Sequence, residues 1–119
     1  MKTVLIVDDD SNMRNALRRV LEHPELNFVE AANGLAAFEK IINSNIDIIL
    51  LDYKMPYVDG LEFLQWIDKS YLEIEIILMS GYMEKLLLEN LMPYKKRLLN
   101  ILVKPCDEER IRRAVWNLI

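Results

Sequence analysis

The sequence predicts an α/β fold, one parallel sheet sandwiched between two layers of helices, from three features. Short apolar runs with little polar alternation recur along the chain, the pattern of strands buried on both faces. Segments with apolar residues at helical spacing separate them, so strand and helix alternate five times. Most of the apolar runs stop at polar or charged residues, as strands do on reaching the carboxyl edge where open α/β sheets bind ligands.

Taken in order, residues 4–7 (Val-Leu-Ile-Val) are the first strand and stop at Asp8-Asp9-Asp10. Asp10 or Ser11 can cap a helix over about 12–22, with Met13, Ala16, Leu17, Val20 and Leu21 on one face and Pro24 ending it. Residues 26–31 are the second strand and Asn33-Gly34 is a turn signal; a helix over 35–43 then turns Phe38, Ile41 and Ile42 inward. The third strand, 46–51, carries Ile48-Ile49-Leu50-Leu51 straight into Asp52. A loop over 55–60 follows, and Asp59 caps a third helix that presents Leu61, Phe63, Leu64 and Ile67. Residues 74–79 form the fourth strand, ending at Ser80-Gly81, and a fourth helix spans about 83–91 until Pro93 interrupts it. A basic connector, 94–97, leads to a fifth strand at 101–103 that ends at Lys104-Pro105. Asp107 caps a last helix with Ile111, Ala114, Val115 and Leu118 on one face.

The 119 residues suit one domain over 1–119, with no internal repeat, low-complexity segment or linker. A 52% hydrophobic content supports a core, and a formal charge of −4 opposes a broad nucleic-acid surface. No apolar stretch approaches the roughly 20 residues of a membrane-spanning helix, so no membrane partner is expected. The first apolar run is too short for a secretory signal, and the single cysteine, Cys106, permits no internal disulfide; both fit a cytoplasmic protein.

The polar residues at the strand ends form one constellation. In a parallel sheet Asp8, Asp9, Asp10, Asp52, Ser80 and Lys104 all reach the same edge and can converge. Carboxylates held close together disfavour one another's ionised forms unless a cation offsets them. A hard divalent ion with oxygen ligands does this, and Mg²⁺ needs only one or two carboxylates besides its waters. Lys104 adds a point charge suited to a phosphoryl oxygen, and Ser80 a hydroxyl donor. An aspartate among such groups can act as a nucleophile towards a phosphoryl donor.

At these residues the chain resembles the receiver domain of two-component response regulators. The resemblance is carried by Val-Leu-Ile-Val-Asp-Asp at 4–9, Leu-Leu-Asp at 50–52, Met-Pro at 55–56, Asp59-Gly60, Ser80-Gly81 and Lys104-Pro105, in that family's order and approximate spacing. It implies a flavodoxin-like (βα)5 three-layer sandwich with strand order 2-1-3-4-5. It also implies Asp52 as phosphoacceptor, with Ser80 and Lys104 engaging the phosphoryl group. Mg²⁺ is expected on Asp9, on Asp8 mostly through water, on Asp52 and on the backbone carbonyl of Lys54. A cis peptide is expected between Lys104 and Pro105, and Pro56 and Gly60 are expected to shape the loop. The implied partners are a histidine kinase as phosphodonor and an output domain or protein meeting the fourth helix–fifth strand–fifth helix face. Such a chain catalyses only its own phosphorylation and dephosphorylation and is not a turnover enzyme.

Other residues have plainer readings. Asp10 is a solvated charge at a helix start, His23 a surface residue, and Cys106 a small buried side chain. Met79, Met83 and Met92 fill core or groove, and Lys95-Lys96-Arg97 is a solvated connector. Two features depart from the resemblance. Ile101 stands where many receivers carry Tyr or Phe. The stretch 82–99 holds Leu86-Leu87-Leu88, Met92-Pro93 and Arg97-Leu98 in place of a small-residue helix; its leucines pack as core, with one or two left for a partner surface. The long side chains of Lys54 and Tyr82 are expected to shield an acyl phosphate from water and slow its loss.

Competing readings are distinguishable. An aspartyl-phosphate hydrolase wants a second Asp two residues after the nucleophile, where this chain has Lys54. A flavodoxin-like FMN carrier wants a Ser/Thr/Gly-rich loop after the first strand, where this chain has three carboxylates. A pseudo-receiver that acts without phosphorylation is a closer rival. Ending at Trp116-Asn117-Leu118-Ile119, the sequence suits a receiver excised from a longer regulator or sensor kinase, or else a stand-alone one.

Overall fold

A computed structural model describes residues 1–54, 58, 60–70, 73–81, 93 and 98–119, with 98–99 as backbone. Five strands and, among the described residues, four helices follow one another. They are β1 (Lys2–Val7), α1 (Ser11–Leu21), β2 (Leu26–Ala31), α2 (Gly34–Asn43), β3 (Ile48–Asp52), α3 (Gly60–Lys69), β4 (Glu75–Ser80), β5 (Leu98–Val103) and α4 (Glu108–Trp116). The strands form one parallel sheet in the order β2-β1-β3-β4-β5, the flavodoxin-like order. Parallel neighbours need a crossover, and α1, α2 and α3 supply it between β1 and β2, β2 and β3, and β3 and β4.

The chain runs from β1 outward to β2, then back across β1 to β3. Because such crossovers are almost always right-handed, that reversal of direction sends α1 and α2 to opposite faces of the sheet. Leu17 and Leu21 of α1 accordingly pack with Ile111 and Val115 of α4 against Val4, Ile6, Ile48, Leu50, Ile77, Met79 and Leu102. On the other face Ala37 and Ile41 of α2 and Phe63, Leu64 and Ile67 of α3 cover Leu5, Val7, Ile49, Leu51, Ile76 and Leu78. Alternate residues of each strand thus enter alternate cores, which is why the runs lack polar alternation. The reversal also makes β1 and β3 neighbours at the topological switch point, whose carboxyl end is where open α/β sheets bind ligands.

Capping settles two helix starts. Asp10 rather than Ser11 caps α1, its carboxylate accepting the Asn12 N–H at 2.9 Å, and Asn33 caps α2 by accepting the Ala36 N–H at 2.8 Å. Asp107 caps α4 as expected, accepting the Arg110 N–H at 2.9 Å. Several strand boundaries move: β1 begins at Lys2 rather than 4, and β3 and β4 each run one residue further, to Asp52 and Ser80. β3 starts at Ile48 rather than 46 because the Asp47 carboxylate, not a ladder carbonyl, accepts the Thr3 N–H at 2.9 Å. Ile46 and Ile74 are core residues just outside their strands. β5 starts three residues early, at Leu98, with an irregularity that pairs Ile76 with Leu98 but Ile77 with Asn100, so β5 accommodates one extra residue.

Ile42 corrects the expectation for the second helix: it is 72% exposed. Gly34, Ala37 and Ile41 form the inward stripe, and Ile42, one residue on, is rotated about 100° away from it. His23 is half-buried rather than a plain surface residue, with its ring 5.3 Å from that of Trp116. Cys106 is partly exposed at the edge of the α1–α4 core. Asp59, Tyr82, Met83, Met92, the 94–97 connector and the fourth helix expected over 83–91 lie outside the described residues.

Candidate functional site

Strand register builds the site. Val7 of β1 pairs with Leu51 of β3, so Asp8 and Asp52, the next residues on neighbouring strands, come level. Both follow a residue of the α2–α3 face, and strand alternation puts them in phase with Ile6 and Leu50 on the α1–α4 face. Asp52 pairs with Met79, Met79 with Leu102, and Lys104 continues the phase of Leu102 two residues beyond it. Three residues far apart in sequence therefore meet above one face of the sheet.

Their contacts agree with that placement. Lys104 Nζ lies 3.1 Å from Asp52 Oδ1 and 3.4 Å from Asp8 Oδ2. The Lys104–Pro105 peptide is cis, as expected. Asp8, Asp9 and Asp52 each present one carboxylate oxygen within 4.8 Å of the others. Asp8 is 3% exposed and Asp52 9%, while Asp9 faces solvent. The Asp8 side chain is pinned by the Asp10 N–H, which donates to its Oδ1 at 2.9 Å.

Two residues outside the expected set also touch this edge. Arg14 of α1 donates from Nη1 to the backbone carbonyl of Asp8 at 2.6 Å and from Nε to Glu30 Oε1 of β2 at 3.1 Å. Neither belongs to a short motif. The available signal was spatial: an arginine one turn into the helix after β1, and a glutamate one residue before the end of the strand beside it.

Ser80 closes β4 at 2% exposure, one residue past the register partner of Asp52, and its backbone carbonyl accepts the Lys104 N–H at 2.7 Å. By strand alternation it has the opposite phase from Asp52. Lys54 is exposed in the turn that leaves β3. Gly60 closes against Tyr53: its N–H donates to the Tyr53 carbonyl at 2.9 Å, and a Cβ there would lie 2.8 Å from Tyr53 Cδ2 and 3.1 Å from Tyr53 Cα.

Burial pushes the Asp52 carboxyl above its ordinary value of 3.8, outweighing the hydrogen bond and charge of Lys104, and the charges of Asp8 and Asp9 push the same way. Burial works against the Lys104 ammonium too, but the hydrogen bond and charge of Asp52, then those of Asp8, outweigh it and hold Lys104 above its ordinary value. Among the described residues of the cluster three carboxylates stand against the Lys104 ammonium, a surplus of about two negative charges when all are ionised. An all-oxygen donor set with a charge deficit of that size fits a hard divalent cation. The residues could hold such an ion and, beside Lys104, receive an anionic group on Asp52.

Similarity to known proteins extends over most of the chain. The family model described as response regulator receiver domain matches residues 4–116. The chain is 34% identical over 114 residues to sporulation initiation phosphotransferase F of Bacillus subtilis, covering 94% of this chain and 89% of that one. It is 29% identical over 122 residues to the uncharacterized transcriptional regulatory protein YesN of the same organism, covering all of this chain but 33% of that protein's length. The receiver domain of the Francisella response regulator 1452 superposes with a TM-score of 0.85 at 26% identity, covering 99% of this chain and 96% of that one.

Proposed function

The chain belongs to the response regulator receiver family, signalling modules of two-component systems, and from that premise we propose that Asp52 accepts a phosphoryl group from a histidine-kinase phosphohistidine. One observation carries the reading: Asp8, Asp9 and Asp52 gather within 4.8 Å beside Lys104, which touches Asp52 at 3.1 Å. A carboxylate oxygen of Asp52 attacks phosphorus in line, the P–N bond breaks, and the leaving imidazole nitrogen takes up a proton. Lys104 then turns from the Asp52 carboxylate to a phosphoryl oxygen, which keeps its positive charge paired throughout. Ser80, at the end of the adjacent strand, supplies a hydroxyl donor to another oxygen. Asp8, Asp9, Asp52 and the Lys54 carbonyl are the residues that would hold Mg²⁺. The ion, when bound, offsets the charge that collects as a phosphoryl group approaches three carboxylates.

In this reading residues 1–119 form one receiver domain that modifies only itself, in the cytoplasm, and turns over no separate substrate. The added charge biases the segment after β4 and the surface of β5 and the C-terminal helix, where an output domain or protein docks. The test is intact-mass spectrometry of the protein with acetyl phosphate, with Mg²⁺ or with chelator. The expected result is a gain of one phosphoryl group that chelation abolishes. No gain with either acetyl phosphate or a kinase would leave a phosphorylation-independent interaction module as the better reading.

A further inference from the structure

Besides its own N–H, which donates to the Ala31 carbonyl at 3.1 Å, Asp8 is held at three points, and the third of these differs in kind. The Asp10 N–H and Lys104 Nζ hold its carboxylate, at 2.9 Å and 3.4 Å. Arg14 Nη1 instead bonds its backbone carbonyl at 2.6 Å. That carbonyl belongs to the planar peptide joining Asp8 to Asp9, so whatever fixes it also fixes the direction in which Asp9 leaves the chain. Asp9 is the solvent-exposed member of the carboxylate cluster.

Arg14 is itself braced. Its Nε lies 3.1 Å from Glu30 Oε1, and Arg18 Nη1 takes the other oxygen, Oε2, also at 3.1 Å. With its side chain 17% exposed and its planar guanidinium bonded on two edges, Arg14 has little freedom to tilt. The clamp ties α1, the end of β1 and β2 together beneath the loop that carries Asp9.

We infer that Arg14, braced by Glu30, is a positioning residue for the divalent-cation site: it fixes the Asp8–Asp9 peptide and so aims the Asp9 carboxylate at Asp8 and Asp52. The inference rests on the cation-site reading above. A counter-charge role for Arg14 predicts the opposite sign, because a fixed cation near the cluster repels a second one and its removal tightens binding.

The experiment measures Mg²⁺ affinity by titration calorimetry, and by the Mg²⁺-dependent rise in melting temperature, for wild type, Arg14→Gln, Arg14→Lys and Glu30→Gln. Arg14→Gln is expected to weaken binding roughly tenfold or more, the usual cost of losing a group that orients a metal ligand. Arg14→Lys is expected to fall between, since an ammonium lacks the planar fork that reaches both acceptors. Glu30→Gln is expected to lose less, in the same direction. Unchanged or tighter binding in Arg14→Gln, with a wild-type circular dichroism spectrum, overturns the inference and leaves the cation site standing. Should Arg14→Gln not fold, unchanged affinity in both Arg14→Lys and Glu30→Gln overturns it. Absence of Mg²⁺ binding by wild type overturns the cation site and this inference together.

Discussion

At Asp52, burial favours the neutral carboxylic acid, whereas attack on phosphorus needs the carboxylate. The result is a native-state value above the ordinary 3.8. A carboxyl that binds its proton more tightly when folded stabilises the fold below the unfolded value, and that contribution is lost as pH rises through the folded one. Ionised Asp52 therefore costs stability at neutral pH in the absence of metal. Asp52→Asn should melt at a higher temperature than wild type at pH 7 without metal. The gap should close as pH falls through the ordinary carboxylate range, where Asp52 is protonated in both states. Melting curves from pH 3 to 8 with chelator check it, and a variant less stable at pH 7 would contradict the burial argument. Lys104 explains why the cost is bearable, since its ammonium lies 3.1 Å from the charge.

Among the elements, the start of α3 is coupled to the site through Tyr53, the residue after Asp52. A Cβ on Gly60 would meet Tyr53 at Cδ2, Cα and the carbonyl oxygen, at 2.8, 3.1 and 3.3 Å, and two of those atoms are backbone that cannot swing aside. Gly60→Ala is expected to cost on the order of 1–3 kcal/mol, typical of overpacking, in a denaturant melt. It should also slow phosphorylation, because Tyr53 adjoins Asp52.

This level also shows what the sequence made legible. Runs such as Ile48-Ile49-Leu50-Leu51 identified strands because both faces are covered and every residue meets a core. Ile42 is apolar yet faces out, because hydrophobicity alone does not say where a helical stripe ends; its neighbours Ala37 and Ile41 already fill the contact with the sheet. β3 starts later than its apolar run because Ile46 is buried without being paired, and burial is what periodicity detects. Local pattern does not mark Arg14, because its contacts depend on which strand lies beside β1, a fact of topology.

On the scale of the whole molecule, strand order converts a scattered set of residues into a site. Asp8 and Asp52 are 44 positions apart and Lys104 lies 52 beyond Asp52, yet register and the reversal between β1 and β3 set them level on one edge. The apolar strands and the polar residues at their ends were both readable in the sequence. Their convergence followed once the strands were taken as parallel, so the site was more legible than the precise ends of the elements that build it. The surface that reads the site is a different matter, because Ile101 is partly buried against the α2–α3 core and the 82–92 stretch lies outside the described residues.

On the proposed function the new bond forms on Asp52. Borohydride reduction of the protein labelled with acetyl phosphate and Mg²⁺ converts an aspartyl phosphate to homoserine, and peptide sequencing by mass spectrometry then reads its position. Homoserine at position 52 alone is the expected result. Homoserine at position 8 or 9, or at no position in a protein that has bound Mg²⁺, would contradict it.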